Sequence, residues 1–267
     1  MDKTNLGSRM KKYESLSNFH VFQELPIIAR IDGRAFHTLT ASLPRPYCSL
    51  LHDLMVETTC FLVKESCAVC GYTQSDEISL LFRKAGPTSE IFFHGRIQKM
   101  CSVLASMAAA YFESRRRMPY YDLILLDDRL ATFDCRIFNL PNQHEILNYF
   151  VWRQRDATRN SIQMAGQAYF SHKELYGKKT NEIQDMLFTQ KGVNWNDYPE
   201  FFKRGSLCKK VPDKKYIKEI GAVSKLGNVL TDEGGDYVMR SKVVRVETPI
   251  FSKENNPFGQ IVLKEKI

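Results

Sequence analysis

Nowhere in these 267 residues is there an apolar run near the roughly 20 positions a membrane-spanning helix needs. The opening Met1-Asp2-Lys3-Thr4-Asn5 shows no secretory leader pattern, so a cytoplasmic address and no membrane partner are expected. Glycine-rich Walker and Rossmann patterns are missing, so any phosphate cradle must be built another way. There is no internal repeat and no low-complexity segment, which removes solenoids and disordered tails. Metal-binding cysteine sets are also absent. Cys67-Ala-Val-Cys70 has knuckle spacing, but no second Cys pair or spaced His pair completes a tetrahedral site, so the pair reads as core thiols. Seven cysteines is an odd count in a chain long enough to bury a core without disulfides, and reduced thiols are expected.

What remains is a globular composition, 43% hydrophobic and 25% charged, with a net charge of +8 that is spread unevenly. Lys203, Arg204, Lys209, Lys210, Lys214, Lys215 and Lys218 stand against the single acid Asp213, and Arg115-Arg116-Arg117 forms a second cluster. Such patches suit a phosphate backbone, which makes nucleic acid a reasonable partner.

Pro26 to Ile31 reads as a buried strand, and apolar residues from Tyr47 to Lys64 recur at helical spacing. Two strand-like pieces, Ala68 to Tyr72 and Glu77 to Phe82, flank Thr73-Gln74-Ser75-Asp76 as a hairpin with an acidic tip. A second amphipathic helix is expected from Arg96 to Phe112, then a strand from Leu130 to Ile137. Strand, helix, hairpin, helix, strand is the βαββαβ order of ferredoxin-like sheets, polymerase palms and nucleotide cyclases among them. The fold class is therefore α+β: a palm-like core over residues 1–140, and a mainly helical, basic C-terminal region over 141–267 packed on it. In that second region a long helix is expected from Gln143 to Tyr169, with capping boxes at Ser171–Glu174 and Asn181–Gln184 and helix stops at Gly192 and Gly205. A turn-rich Asp232 to Asp236 and a β-branched Val243 to Val246 follow.

Two acidic motifs could meet on this sheet: Arg30-Ile31-Asp32-Gly33-Arg34 and Gln74-Ser75-Asp76-Glu77. Paired carboxylates with a backbone carbonyl suit Mg²⁺ held against a triphosphate. Strand alternation sends Asp76 and Glu77 to opposite faces, so one of them shares a site with Asp32, and spacing does not choose which. Arg96 and Lys99, near a helix start, could receive phosphate. Asp156, Asn160, Gln163 and Gln167 fall on one stripe of the long helix.

The run Arg30 to His37, the Gln74 to Glu77 hairpin, Arg96 with Lys99, Trp152-Arg153-Gln154-Arg155-Asp156 and Phe202 to Ser206 together resemble the tRNA-His guanylyltransferases and their bacterial and archaeal "like" proteins. The resemblance implies 3′-to-5′ nucleotide addition at the 5′ end of tRNA, with two Mg²⁺ ions, ATP and GTP as substrates, and a homo-oligomer, often a tetramer. It implies catalytic roles for Asp32, Asp76 and, in support, Glu77, with Asp32, Asp76 and the Gly33 carbonyl as metal ligands. Nucleotide contacts would come from Asp32, Gly33, Arg34, Ala35, Phe36, His37, Arg45, Ser75, Asp76, Arg96 and Lys99. RNA binding and 5′-end activation would fall to Arg155, Asn160, Lys203, Arg204, Lys209 and Lys210. Where eukaryotic-type members carry a His-Ile-Asn-Asn signature, this chain reads Thr158-Arg159-Asn160-Ser161. That departure resembles the "like" group, which repairs 5′-truncated tRNAs by templated addition. Dedicated tRNA-His guanylylation, a nucleotide cyclase and a tRNA-binding module with a vestigial triphosphate site are the alternatives.

Overall fold

The computed structural model describes residues 4–84, 86, 88–122, 129–216, 237–252 and 258–259. An amphipathic helix with no buried residue, α1 (Asn5–Ser15), leads to β1 (Ile27–Gly33), the short α2 (Phe36–Leu39) and α3 (Ser49–Ser66). The hairpin β2 (Cys70–Gln74) and β3 (Glu77–Phe82) follows, then α4 (Ile97–Arg116), the single turn α5 (Pro119–Asp122) and β4 (Phe133–Asn139). Next come α6 (Gln143–Tyr169), α7 (His172–Leu175), α8 (Thr180–Lys191), α9 (Glu200–Arg204) and two more strands, β5 (Ser206–Tyr216) and β6 (Tyr237–Val246).

The strands form one antiparallel sheet in the order β4-β1-β3-β2-β5-β6. The first four are the expected βαββαβ core. The last two correct the reading of the C-terminal region: the basic run from Lys209 to Lys215 lies on β5, which joins β2 through Ser206 to Lys209, and the β-branched stretch at Val243 belongs to β6, which pairs with β5 from Leu207 to Tyr216. The change of sequence character near residue 140 therefore does not divide the sheet. Lys218 and the Asp232–Asp236 turn lie outside the described residues.

Alternation along β1 and β3 sorts side chains onto two faces. Ile27, Ala29 and Ile31 with Ile78, Leu80 and Phe82 pack under α3 and α4, against Leu54, Met55, Leu62, Met100, Leu104 and Phe112. Gly71 lets α3 come close: a Cβ there would stand 2.5 Å from the Thr59 methyl. On the other face, Ile28, Leu81, Tyr72 and Leu207 meet Ile146, Phe150 and Val151 of α6, and Phe251 and Phe258 of the tail close over them. The far half of α6 builds a third cluster with α7 and α8 through Ile162, Ala165, Leu175, Ile183 and Leu187.

Several local expectations are met, and others shift for identifiable reasons. Asn142 caps α6 through a 3.0 Å bond from the Glu145 N–H, and the Ser171–Glu174 capping box is present. The second box is not formed; α8 starts two residues earlier than expected, with the Lys179 N–H donating to the Glu182 carboxylate at 2.7 Å and no side-chain acceptor at Lys179. All seven cysteines are free; Cys70 is buried, whereas Cys67, left-handed at the end of α3, is exposed and no core thiol. Among the described residues no helix is long and apolar enough to cross a membrane.

Candidate active site

The β2–β3 turn consists of only Ser75 and Asp76, with Ser75 in the left-handed region at φ 49°. The Gly33 N–H donates to the Asp76 carbonyl at 3.1 Å, which ties the end of β1 to the hairpin tip and brings both acidic motifs together. Gly33 is required by space, because a Cβ would stand 2.4 Å from the Phe36 ring. A cleft of about 420 Å³ opens here between the sheet and α6. Asp32, Ser75, Asp76 and Glu77 line one wall, and Asp156, Asn160, Gln163 and Gln167 line the wall supplied by α6.

The expectation that only one of Asp76 and Glu77 shares a site with Asp32 is overturned. Asp76 sits in the turn, outside the ladder, while Glu77 begins β3 and is the register partner of Asp32. Same-face pairing puts Asp32 and Glu77 on the cleft, and the turn adds Asp76 to the same wall. Burial pushes the Asp76 carboxyl above its ordinary value, and the charge of Asp32 adds to that rise. Glu77 is likewise raised by burial, and Arg153 and Arg30 oppose the rise. Arg153 donates from Nε and Nη2 to the two Glu77 oxygens at 2.7 and 2.8 Å, and from Nη2 to Asp156 at 2.9 Å. Arg136 reaches Asp32 at 3.8 Å.

Among the described residues, no group of three or more His, Cys, Asp or Glu side chains is arranged to hold a metal unaided. The donor set nevertheless fits Mg²⁺: hard carboxylate oxygens crowded by their own charge, in a cleft roomy enough for a triphosphate to supply the remaining ligands.

From Gly33 the chain turns through Arg34 and Ala35, the latter left-handed at φ 55°, into α2, leaving Arg34, Ala35 and His37 exposed and Phe36 in the core. His37 is close enough for its charge to act on Asp76. Arg45 is exposed on the loop that leads to Tyr47, which lines the cleft. Arg96 and Lys99 are a correction. They precede and open α4, beside Phe19 to Gln23 and the Ile27–Asn139 end of the sheet, whereas Asp32 is at the Gly33–Phe133 end. Seven strand residues, about 20 Å, separate the two ends, so within one chain these cations do not reach the cleft.

The RNA-binding candidates divide as well. Asn160 lines the cleft, 3.5 Å from Asp156. Arg155 is exposed on another side of α6, in a shallow depression with Thr158 and Arg204. Lys203 is only 5% exposed, with its ammonium bound to the Asn196 carbonyl at 2.6 Å and to Glu200 at 2.8 Å, so it is a structural cation and no phosphate contact. Arg204 is paired with Glu200. Lys209 and Lys210 are half-buried on β5.

Sequence reading gave no role to Arg153, or to the aromatic end of the cleft made by Tyr47, His52, Phe201 and Phe202. His52 stacks on Phe201 with ring centres 4.1 Å apart and lies 3.2 Å from the Ser206 hydroxyl. Burial, with help from Arg245, lowers its pKa to about 3, so the imidazole is neutral. The signal for Arg153 was available: it stands three residues before Asp156, on the helix face that carries the stripe.

A sequence profile described as tRNAHis guanylyltransferase matches residues 7–141. A bacterial tRNA(His) guanylyltransferase-like protein in complex with ATP superposes with a TM-score of 0.78 at 36% identity, covering 97% of this chain and 99% of that one. A bacterial counterpart in complex with GTP gives 0.73 at 34% identity, with the same coverage. The tRNA(His) guanylyltransferase of Kluyveromyces lactis is 25% identical over 236 residues, 82% of this chain and 97% of its own. The chain belongs to the tRNAHis guanylyltransferase family and is a nucleotidyltransferase.

Proposed function

We propose that this protein adds nucleotides in the 3′-to-5′ direction to the 5′ end of tRNA, copying the opposite strand of the acceptor stem to repair truncated ends. The observation that carries this reading is the single cleft in which Asp32, Asp76 and Glu77 face the amide stripe of α6. Its size and mixed lining suit a nucleoside triphosphate, as the ATP- and GTP-bound relatives suggest.

Asp32, Asp76 and the Gly33 carbonyl would hold Mg²⁺, two ions in all. When bound, the metal supplies charge stabilisation to the attacking and leaving oxygens of an in-line displacement. The protein's own groups do the rest. Ser75 and the turn from Gly33 to His37 border the triphosphate, with Arg34, His37 and Arg45 at its lip. The aromatic end at Tyr47, His52 and Phe201 excludes water and presents flat, uncharged surface. Asn160, Gln163 and Gln167 offer amide donors and acceptors to the 5′ end of the RNA. The incoming 3′-hydroxyl is thereby set against the activated 5′ phosphate, and positioning rather than covalent chemistry carries the rate. Arg96 and Lys99, at the far end of the sheet, would serve such a site only across an interface between copies of the chain, in keeping with a homo-oligomer.

Thr158 favours repair over dedicated tRNA-His guanylylation. Its hydroxyl donates to the Lys203 carbonyl at 3.0 Å, locking α6 to α9, and it lies off the cleft. The test is extension of a tRNA lacking its first nucleotide against full-length tRNA-His, with ATP, GTP and Mg²⁺ supplied. Preferential templated extension of the truncated substrate is expected. Selective addition of an untemplated G to full-length tRNA-His would overturn the reading.

A further inference from the structure

Arg153 is a buried and tightly held cation, and its constraint has a shape. Its side chain is 5% exposed, and its fork meets both oxygens of Glu77 at 2.7 and 2.8 Å. One nitrogen of the same fork also reaches Asp156 at 2.9 Å, and the guanidinium lies over the Trp152 ring at 4.4 Å from its centre. Paired parallel bonds fix the plane of a carboxylate, which one bond or a diffuse charge does not. Arg30, the other cation near Glu77, stands off at 4.0 Å, and its buried Nε has no hydrogen-bond partner among the described residues. Orientation of Glu77 therefore comes from Arg153. Because Glu77 is cross-strand from Asp32 and Asp156 begins the α6 stripe, this one side chain ties the acidic wall of the cleft to its amide wall.

We propose that Arg153 is a positioning residue of the active site. Its fork presets the Glu77 carboxylate beside Asp32, so that the acidic wall is in place before a divalent cation arrives. The proposal rests on the nucleotidyl-transfer reading of the cleft. Outer partners of metal-facing carboxylates of this kind are worth about ten- to a hundred-fold in metal affinity.

Charge and geometry make opposite demands, which gives the test its sign. If Arg153 mattered only as a positive charge, its removal would leave the cleft more acidic and tighten cation binding. If it mattered through its fork, Arg153→Met and Arg153→Lys would both weaken binding, although the lysine keeps the charge. The measurement is Mn²⁺ binding to the full-length protein, followed by the loss of the free-ion electron paramagnetic resonance signal, with a non-hydrolysable ATP analogue present. Both variants are expected to bind at least about ten-fold more weakly than wild type while melting cooperatively. Arg153→Lys keeps the stem and the charge and carries the test if Arg153→Met does not fold. Wild-type affinity in Arg153→Lys, or tighter binding in Arg153→Met, overturns the positioning role and leaves the proposed function standing. Absence of Mn²⁺ binding by the wild type would bring down the metal reading of the cleft and this proposal with it.

Discussion

The two faces of the central sheet are built from the same strands and could hardly differ more. Under α3 and α4, β1 and β3 present Ile27, Ala29, Ile31, Ile78, Leu80 and Phe82, apolar from end to end. Toward α6 the alternate positions read Ile28, Arg30, Asp32 on β1 and Leu81, Ser79, Glu77 on β3. Polarity on that face rises along the strands toward the cleft, in register: Ile28 opposite Leu81, Arg30 opposite Ser79, Asp32 opposite Glu77. The intermediate step is satisfied, since Ser79 and the Tyr149 hydroxyl lie 2.8 Å apart. One face supplies cohesion, and its regularity lets the other carry charge that would cost stability on its own.

The sharpest test of that division is at the acidic end. Asp32→Asn and Asp76→Asn are each expected to lower tRNA extension by more than about 100-fold, the upper end of what outer partners of a metal site contribute. Neither should lower the melting temperature, because Asp76 is held above its ordinary pKa by burial and by its acidic neighbour. A large loss of stability in either variant would break the comparison, by showing the acidic end to be part of the core.

The opposite face should answer with stability and not with turnover. Leu54→Ala, at a fully buried position of α3, is expected to cost about 2–5 kcal/mol in denaturant unfolding, from lost burial and the cavity left behind. Extension per folded molecule should stay at the wild-type level. A smaller effect is expected from Lys203→Met, about 1.5–3 kcal/mol for the loss of its charged hydrogen bonds. Lys203→Met should leave the salt dependence of tRNA binding unchanged, which separates a structural cation from a phosphate contact. Asn160→Ala, exposed on the cleft, should reverse this pattern. It is expected to lower kcat/KM about ten-fold, the equivalent of one hydrogen bond, with no change in melting.

How far the sequence disclosed this arrangement follows from the range of each signal. Local periodicity located β1, the hairpin, α3, α4 and α6 closely, because each buries a face whose spacing is written in adjacent residues. The basic run from Lys209 was read only as a charged patch, since its strand partners, Val238 to Val244, are remote in sequence. Asp32, Asp76 and the amide stripe were found because each sits at an element end or on a regular helix face. Glu77 was misplaced because alternation was counted through Asp76, which the two-residue turn removes from the ladder. Arg96 and Lys99 were grouped with the acids on motif resemblance, and no local pattern reveals at which end of a sheet a helix begins. Lys203 looked like its basic neighbours, and only its burial against Trp195 and Asn196 sets it apart.

The smallest expected effect isolates the structural half of α6. This helix performs both tasks of the two faces in succession: its first turns bury Ile146, Leu147 and Phe150 on the sheet, and its later turns carry Asp156 and the amides over the cleft. Asn142 caps it at the end away from the cleft, satisfying one of the four free N–H groups of the first turn. Asn142→Ala is expected to cost about 1 kcal/mol in thermal or denaturant unfolding. Because α6 is held by the sheet over its first half and by α7 and α8 over its far half, fraying of the first turn should not move Asp156 or Asn160. Extension rates of Asn142→Ala should therefore match the wild type at temperatures where both are folded. A loss of activity exceeding the loss of stability would show that strain at the cap is transmitted along the helix to the cleft, and that the two halves of α6 act as one rod.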